Sequence, residues 1–223
     1  MIDLVSRVEA ELNKISKTAG GAHLKTSEIR KLSAILYREI SNKSKDNIFA
    51  ICQMLLEQDS WPMSVIAYDF AYRVKKQYDD KTFLIFEGWL VNYVKNWSDC
   101  DDLCTHAFGE LIKQNINLFE KVIPWTKHEK FTVRRAAAVV LIPLIRQGKY
   151  KEIKPTLISD LLMLDSEDLV LKGYGWMLKE LSIKEPQLVY EYLKKNSDIM
   201  PRVAFRYALE KMEDDKRMEL MSL

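Results

Sequence analysis

Amphipathic helical periodicity runs through almost the whole chain, and no other feature restricts the fold as much. Residues 2–16 place Leu4, Val5, Val8, Leu12 and Ile15 on one face. A helix from Ser27 buries Ile29, Leu32, Leu36 and Ile40, and one from Ser44 buries Ile48, Ile51, Cys52 and Leu55. Pro62 suits the first turn of a helix carrying Val65, Ile66, Phe70 and Val74, because its missing N–H has no partner there anyway. These spacings give a single apolar stripe per helix. An aromatic-rich stretch, 82–95, follows, and further helices are expected from about Ser98, Phe131, Lys154, Ser166, Pro186 and Pro201. No segment alternates as a strand does. Seven glycines and six prolines in 223 residues are few for a fold of many tight turns. The chain is expected to be all-α.

The helices fall into pairs about 30–40 residues apart, at roughly 27–58, 63–95, 98–125, 131–164 and 166–196. Short connections and this period suit HEAT-like helical-hairpin repeats, stacked as one domain over 1–223 into a curved α-solenoid with a concave basic face. A compact bundle would show similar periodicity.

The net charge of +2 does not by itself call for a polyanion. Its distribution is more telling. Between Lys121 and Lys154 lie Lys127, Lys130, Arg134, Arg135, Arg146, Lys149 and Lys151, against only Glu129 and Glu152. Such a run is usually a solvated helix face, and a phosphate-binding stripe is the alternative. The first residues lack the pattern of a signal peptide. The longest apolar run, Ala136 to Ile145, contains Pro143 and is too short to span a membrane. Cysteines 52, 100 and 104 have no framework spacing, which suggests a reduced, cytoplasmic protein. Cys100, Cys104 and His106 lack a second cluster to complete four ligands, so no zinc is expected.

Three segments carry the chemistry: Trp97-Ser98-Asp99-Cys100-Asp101, Val133-Arg134-Arg135-Ala136-Ala137 and Lys172-Gly173-Tyr174-Gly175-Trp176. They offer two indoles, a carboxylate and a guanidinium from three helices, which are the groups needed to hold a cationic base on a phosphate backbone. Each also has an ordinary reading. Ser98 and Asp101 have the spacing of a capping box, Arg135 can be a surface arginine before a small apolar helix, and Trp176 can be a core tryptophan with Lys172 and Lys179 on its face.

Taken together, the segments resemble the AlkD type of the DNA alkylation repair family, HEAT-like glycosylases that remove alkylated purines. The family pattern is a Trp with an Asp four residues on, an Arg-Ala-Ala helix, a Lys-x-x-Gly-Trp segment and a basic helix near the C-terminus. Here these are Trp97 and Asp101, Arg135-Ala136-Ala137, Lys172 to Trp176, and Met200-Pro201-Arg202-Val203-Ala204-Phe205-Arg206-Tyr207. The resemblance covers roughly 25–212. It implies that Asp101, Trp97 and Trp176 act on the damaged nucleotide. It also implies that Arg134, Arg135, Lys172, Lys179, Arg202 and Arg206 contact phosphates of double-stranded DNA carrying alkylated purines. No metal, cofactor or membrane is implied, and a monomer is expected. The alternative is a non-catalytic HEAT-like module that binds nucleic acid or a protein.

Some positions depart from the family pattern. Ser98 stands where the family often has Asp, and residues 1–36 contain no tyrosine to match the one on its first helix. Thr132 replaces an aromatic residue, and Gly20-Gly21 replaces an aromatic and apolar segment. The aspartate, the arginine and both tryptophans are retained, so activity is expected.

Overall fold

The computed structural model describes the backbone of residues 2–18 and 24–223 and the side chains of 4–17 and 24–223; Gly20-Gly21 lies outside them. The described residues form helices and connections, with no strand. The helices are α1 (Ile2–Thr18), α2 (Thr26–Glu39), α3 (Lys45–Leu56), α4 (Trp61–Arg73), α5 (Thr82–Asn92), α6 (Trp97–Thr105), α7 (Ala107–Gln114), α8 (Phe119–Val122), α9 (Phe131–Val139), α10 (Ile142–Arg146), α11 (Pro155–Leu162), α12 (Asp168–Lys184), α13 (Pro186–Lys195), α14 (Arg202–Leu209) and α15 (Asp214–Met221). None is long and apolar enough to cross a membrane. The starts expected from sequence fall within about two residues of those observed. The reason is local: Ser44 caps α3 through the Asn47 amide, and Pro155 and Pro186 occupy first turns, where a lost N–H costs nothing.

The apolar run Ala136 to Ile145 is broken. The helix α9 ends at Val139, and α10 starts at Ile142 with Pro143 in its first turn. Proline has no N–H for the carbonyl of Val139, and its ring crowds that carbonyl, so a continuous helix is disfavoured by about 3 kcal/mol.

The chain divides into two compact units, Met1–Val94 and Lys95–Leu223. In the first, α4 packs against both α2 and α3, burying Ile29, Leu36, Ile48, Leu55, Ile66 and Phe70 completely. Phe49, Phe86 and Trp89 form an aromatic cluster beside them. In the second unit α12 is the central element, in contact with α9, α10, α11, α13 and α14. Small residues let these helices approach. Ala136, Ala137 and Ala138 are fully buried on α9. A Cβ on Gly175 of α12 would lie 2.8 Å from both the Ala204 carbonyl oxygen and the Tyr207 Cβ of α14.

The repeat is written in the polar contacts. Side chains bond partners one hairpin away: Gln53 accepts from Trp89 at 2.9 Å, Arg135 donates to Asp101 at 2.8 Å, Arg146 to Glu180 at 2.8 Å and Tyr150 to Glu185 at 3.0 Å. These partners are 34 to 36 residues apart. The hairpin period is thus matched by hydrogen bonds between neighbouring hairpins, as expected where each repeat contacts only its neighbours.

Candidate nucleic-acid interface

The carboxylate is built first by its helix start. Asn96, not Ser98, is the N-cap of α6: its Oδ1 accepts from the amides of Ser98 at 2.9 Å and Asp99 at 3.0 Å. The capping box suggested by Ser98 and Asp101 does not form, because the asparagine two residues before Ser98 satisfies the first orphan amides. This leaves Trp97 as the first helical residue, 52% exposed, and Asp101 one turn further on.

Asp101 then meets Arg135. The Nε and Nη2 of Arg135 each donate to one carboxylate oxygen at 2.8 Å, the fork-on-fork geometry that makes such pairs strong. The third arm, Nη1, donates to the carbonyl of Leu169 on α12. One buried guanidinium thus joins α6, α9 and α12. Its path runs across Gly173, where a Cβ would come within 3.1 Å of the Arg135 Cγ. Burial raises the Asp101 carboxyl above its ordinary value, with the Arg135 hydrogen bonds and charge pulling the other way. The guanidinium stays charged: burial works against it, but the Asp101 bonds and charge outweigh that. Of the two side chains, that of Asp101 is 18% exposed and that of Arg135 only 6%, so the carboxylate is the member of the pair within reach of a ligand.

Trp176 is held at its edge. Its Nε1 donates to Glu180 at 2.9 Å, and Glu180 receives two further bonds from Arg146 at 2.8 and 3.0 Å. The Arg146 guanidinium lies 5.7 Å from the indole centroid. Arg146 first, through its hydrogen bonds, holds Glu180 below its ordinary value.

Trp97, Asp101, Arg135, Leu169, Lys172, Trp176, Lys179 and Tyr207 line one cleft of about 390 Å³. It gathers both tryptophans, the aspartate, one arginine and two of the lysines singled out from sequence. The Lys172 ammonium makes no hydrogen bond or ion pair among the described residues, whereas Lys179 pairs with Glu210 at 2.6 Å. Arg134 is elsewhere engaged. It bonds Asp165 at 2.6 and 3.1 Å and the carbonyls of His128 and Glu129 at 2.9 Å, which ties the start of α9 to the loop before α12. Arg202 and Arg206 are exposed on α14 and are not part of the cleft lining. Sequence reasoning passed over Tyr207, Glu180 and Arg146 as site residues. Glu180 and Arg146 carried a signal in their separation of 34 residues, the same as that of Asp101 and Arg135.

Cys100 and Cys104 are buried. The Cys100 thiol donates to the Thr132 carbonyl, and burial holds Cys104 well above its ordinary value. Both are apolar packing groups behind Asp101, and no cluster suited to a metal ion occurs among the described residues.

Fold and cleft together define an all-helical repeat protein with a carboxylate-bearing aromatic cleft. Residues 22–212 match the sequence pattern of the family described as DNA alkylation repair enzyme, and the chain belongs to that family. Membership supports a role in alkylation repair and an interaction with DNA. Among solved structures, the chain is similar to a predicted DNA alkylation repair enzyme from Enterococcus faecalis, with a TM-score of 0.72, 17% identity and coverage of 93% of this chain and 96% of that one. It is also similar to AlkD2 from Streptococcus mutans, with a TM-score of 0.65, 21% identity and coverage of 92% and 99%. A third likeness is smu.31 from Streptococcus mutans UA159, with a TM-score of 0.64, 23% identity and coverage of 94% and 100%. At these identities the likeness establishes the helical-repeat fold. No curated protein sequence matches.

Proposed function

We propose that this protein is a DNA glycosylase that hydrolyses the N-glycosidic bond of positively charged 3- or 7-alkylpurines in duplex DNA. The observation that carries the reading is a carboxylate gripped at both oxygens by Arg135 in a cleft that also holds Trp97 and Trp176. Alkylation at N3 or N7 leaves the purine cationic. As C1′–N breaks, the bonding electrons neutralise the base, so the leaving group needs neither a general acid nor a metal. What remains is the positive charge growing on the sugar and the placing of water. A fixed anion beside C1′ stabilises that charge most effectively where water is scarce. Each carboxylate oxygen keeps a second lone pair after bonding Arg135, so Asp101 can still accept a proton from the water that adds to C1′. A single carboxylate suffices for this task, unlike the pair needed when a neutral sugar leaving group must be protonated.

Trp97 and Trp176 offer electron-rich faces to a cationic base, each worth about 0.5–2 kcal/mol depending on desolvation. Lys172 is the cleft cation available for a phosphate, Lys179 keeps its Glu210 partner, and Arg202 and Arg206 are further backbone contacts that position the duplex without reading its sequence. Arg135 serves in this reading by holding Asp101 ionised and oriented.

The buried pair also favours a second reading. Arg135 joins three helices through Asp101 and Leu169, a structural task that a non-catalytic HEAT-like binding module would need equally. Release of free 7-methylguanine or 3-methyladenine from alkylated duplex DNA separates the two. Release supports the glycosylase; DNA binding without release leaves the binding module.

A further inference from the structure

The cleft has a third aromatic wall. Tyr207 stands on α14, a different helix from Trp97 on α6 and Trp176 on α12, yet all three line the same space. Its presence there depends on a glycine next to Trp176. At Gly175 any Cβ would lie 2.8 Å from the Tyr207 Cβ and from the Ala204 carbonyl, closer than side-chain and backbone atoms approach. Gly175 thus lets α14 press onto α12 at the level of the indole.

The surroundings of the ring suit a cationic ligand. The Lys179 ammonium lies 5.7 Å from the Tyr207 centroid, which shows the ring already disposed toward a positive charge. That ammonium is neutralised by Glu210 at 2.6 Å, and the unpaired Lys172 ammonium of the same cleft is neutralised in the complex by the phosphate it binds, so neither repels a second cation as a free lysine would. The Tyr207 hydroxyl takes part in no hydrogen bond among the described residues, so no internal contact accounts for the residue being a tyrosine.

We propose that Tyr207 is a specificity-determining residue of the cleft, its ring recognising the positive charge of the alkylated base alongside Trp97 and Trp176. This rests on the glycosylase reading for the class of ligand, but recognition of the charge is separable from hydrolysis and is tested apart from it.

The experiment measures the affinity of the full-length protein for two duplexes. One carries a single 7-methylguanine on a 2′-fluoroarabinose, whose electron-withdrawing fluorine keeps the glycosidic bond intact. The other carries guanine on the same sugar. The readout is the ratio of the two dissociation constants for wild type, Tyr207→Leu and Tyr207→Phe. Wild type is expected to prefer the cationic duplex, and Tyr207→Leu to lose about tenfold of that preference, the value of one partly desolvated cation–π contact. Tyr207→Phe keeps the ring and restores the preference to within about twofold. A merely structural role would weaken both duplexes alike and leave the ratio unmoved. Unchanged preference in Tyr207→Leu overturns the proposal, as does an equal loss in Tyr207→Phe or a wild type with no preference. Excision of unprotected 7-methylguanine, measured in parallel, reports on the glycosylase reading separately: preference without excision leaves Tyr207 recognition standing and removes the catalytic claim.

Discussion

Arg135 closes its Nε and Nη2 on the two carboxylate oxygens of Asp101, at 2.8 Å each. The pair is largely buried, so losing one partner and losing both have unequal consequences. Removing one partner leaves a charge without water or counter-ion and costs about 3–5 kcal/mol, whereas replacing both by apolar groups of similar volume is near neutral. Arg135→Met and Asp101→Leu should each lower the urea midpoint strongly, and the double variant should recover most of the loss without recovering base excision. A double variant as unstable as the sum of the singles would contradict the account of the pair as a coupled unit.

The glycines of α12 and α5 offer a contrast. At Gly175 an added methyl meets backbone at 2.8 Å, and overpacking of this kind costs about 1–3 kcal/mol. At Gly88, in α5, an added Cβ meets nothing within 4 Å, so Gly88→Ala should stabilise by about 0.4–1 kcal/mol through the unfolded chain. Chemical denaturation of the two alanine variants gives opposite signs if the packing is right. Gly173→Ala is the functional counterpart: its Cβ would press on the Arg135 side chain, and activity should fall by a larger factor than stability explains.

Glu180 links Trp176 to acid stability. Its folded pKa is depressed below the ordinary 4.5, first by hydrogen bonding to Arg146. The unfolded state therefore binds the proton more readily, so the stabilisation is full above the ordinary value and is lost as pH falls through the depressed one. Between pH 7 and 3, wild type should lose more stability than Glu180→Gln, and the indole should lose its charged acceptor over the same range. Parallel pH profiles for the two proteins would count against the Arg146–Glu180–Trp176 clamp.

Salt titration reads the phosphate contacts. Lys172→Ala should weaken duplex binding and reduce the slope of log K against log salt by about 0.9, one phosphate's worth. Arg134→Ala removes a guanidinium committed to Asp165 and two carbonyls, and it should act on stability and leave that slope unchanged.

Much of the fold was legible because its signals are local. The apolar stripe of Ile29, Leu32 and Leu36, the cap at Ser44 and the prolines at 155 and 186 each act within one or two turns. The break at 140–141 was not anticipated, although Pro143 inside an otherwise apolar run carried the signal for it. The candidate cleft was legible in its residue types, since Trp97, Asp101, Trp176 and Lys172 line it together. What sequence could not give was the partner of each charge. Arg134 and Arg135 are neighbours on one helix, yet one turns to Asp165 and the other to Asp101, a choice made by the packing of α9 between α6 and the α11–α12 connection. Tyr207 reached the cleft through an inter-helix approach that Gly175 permits, and neither residue advertises the other across 32 positions.

The account stands or falls on Asp101 as the catalytic anion. The direct measurement is single-turnover release of 7-methylguanine from alkylated duplex DNA by wild type and Asp101→Asn, both shown to be folded at the assay temperature. Asparagine keeps the shape and one acceptor for Arg135 but carries no charge. The account predicts release by wild type and a loss of at least about a hundredfold in the variant, the scale of removing one preorganised electrostatic group. Equal release by both proteins, or none by the wild type while it binds the duplex, would contradict it.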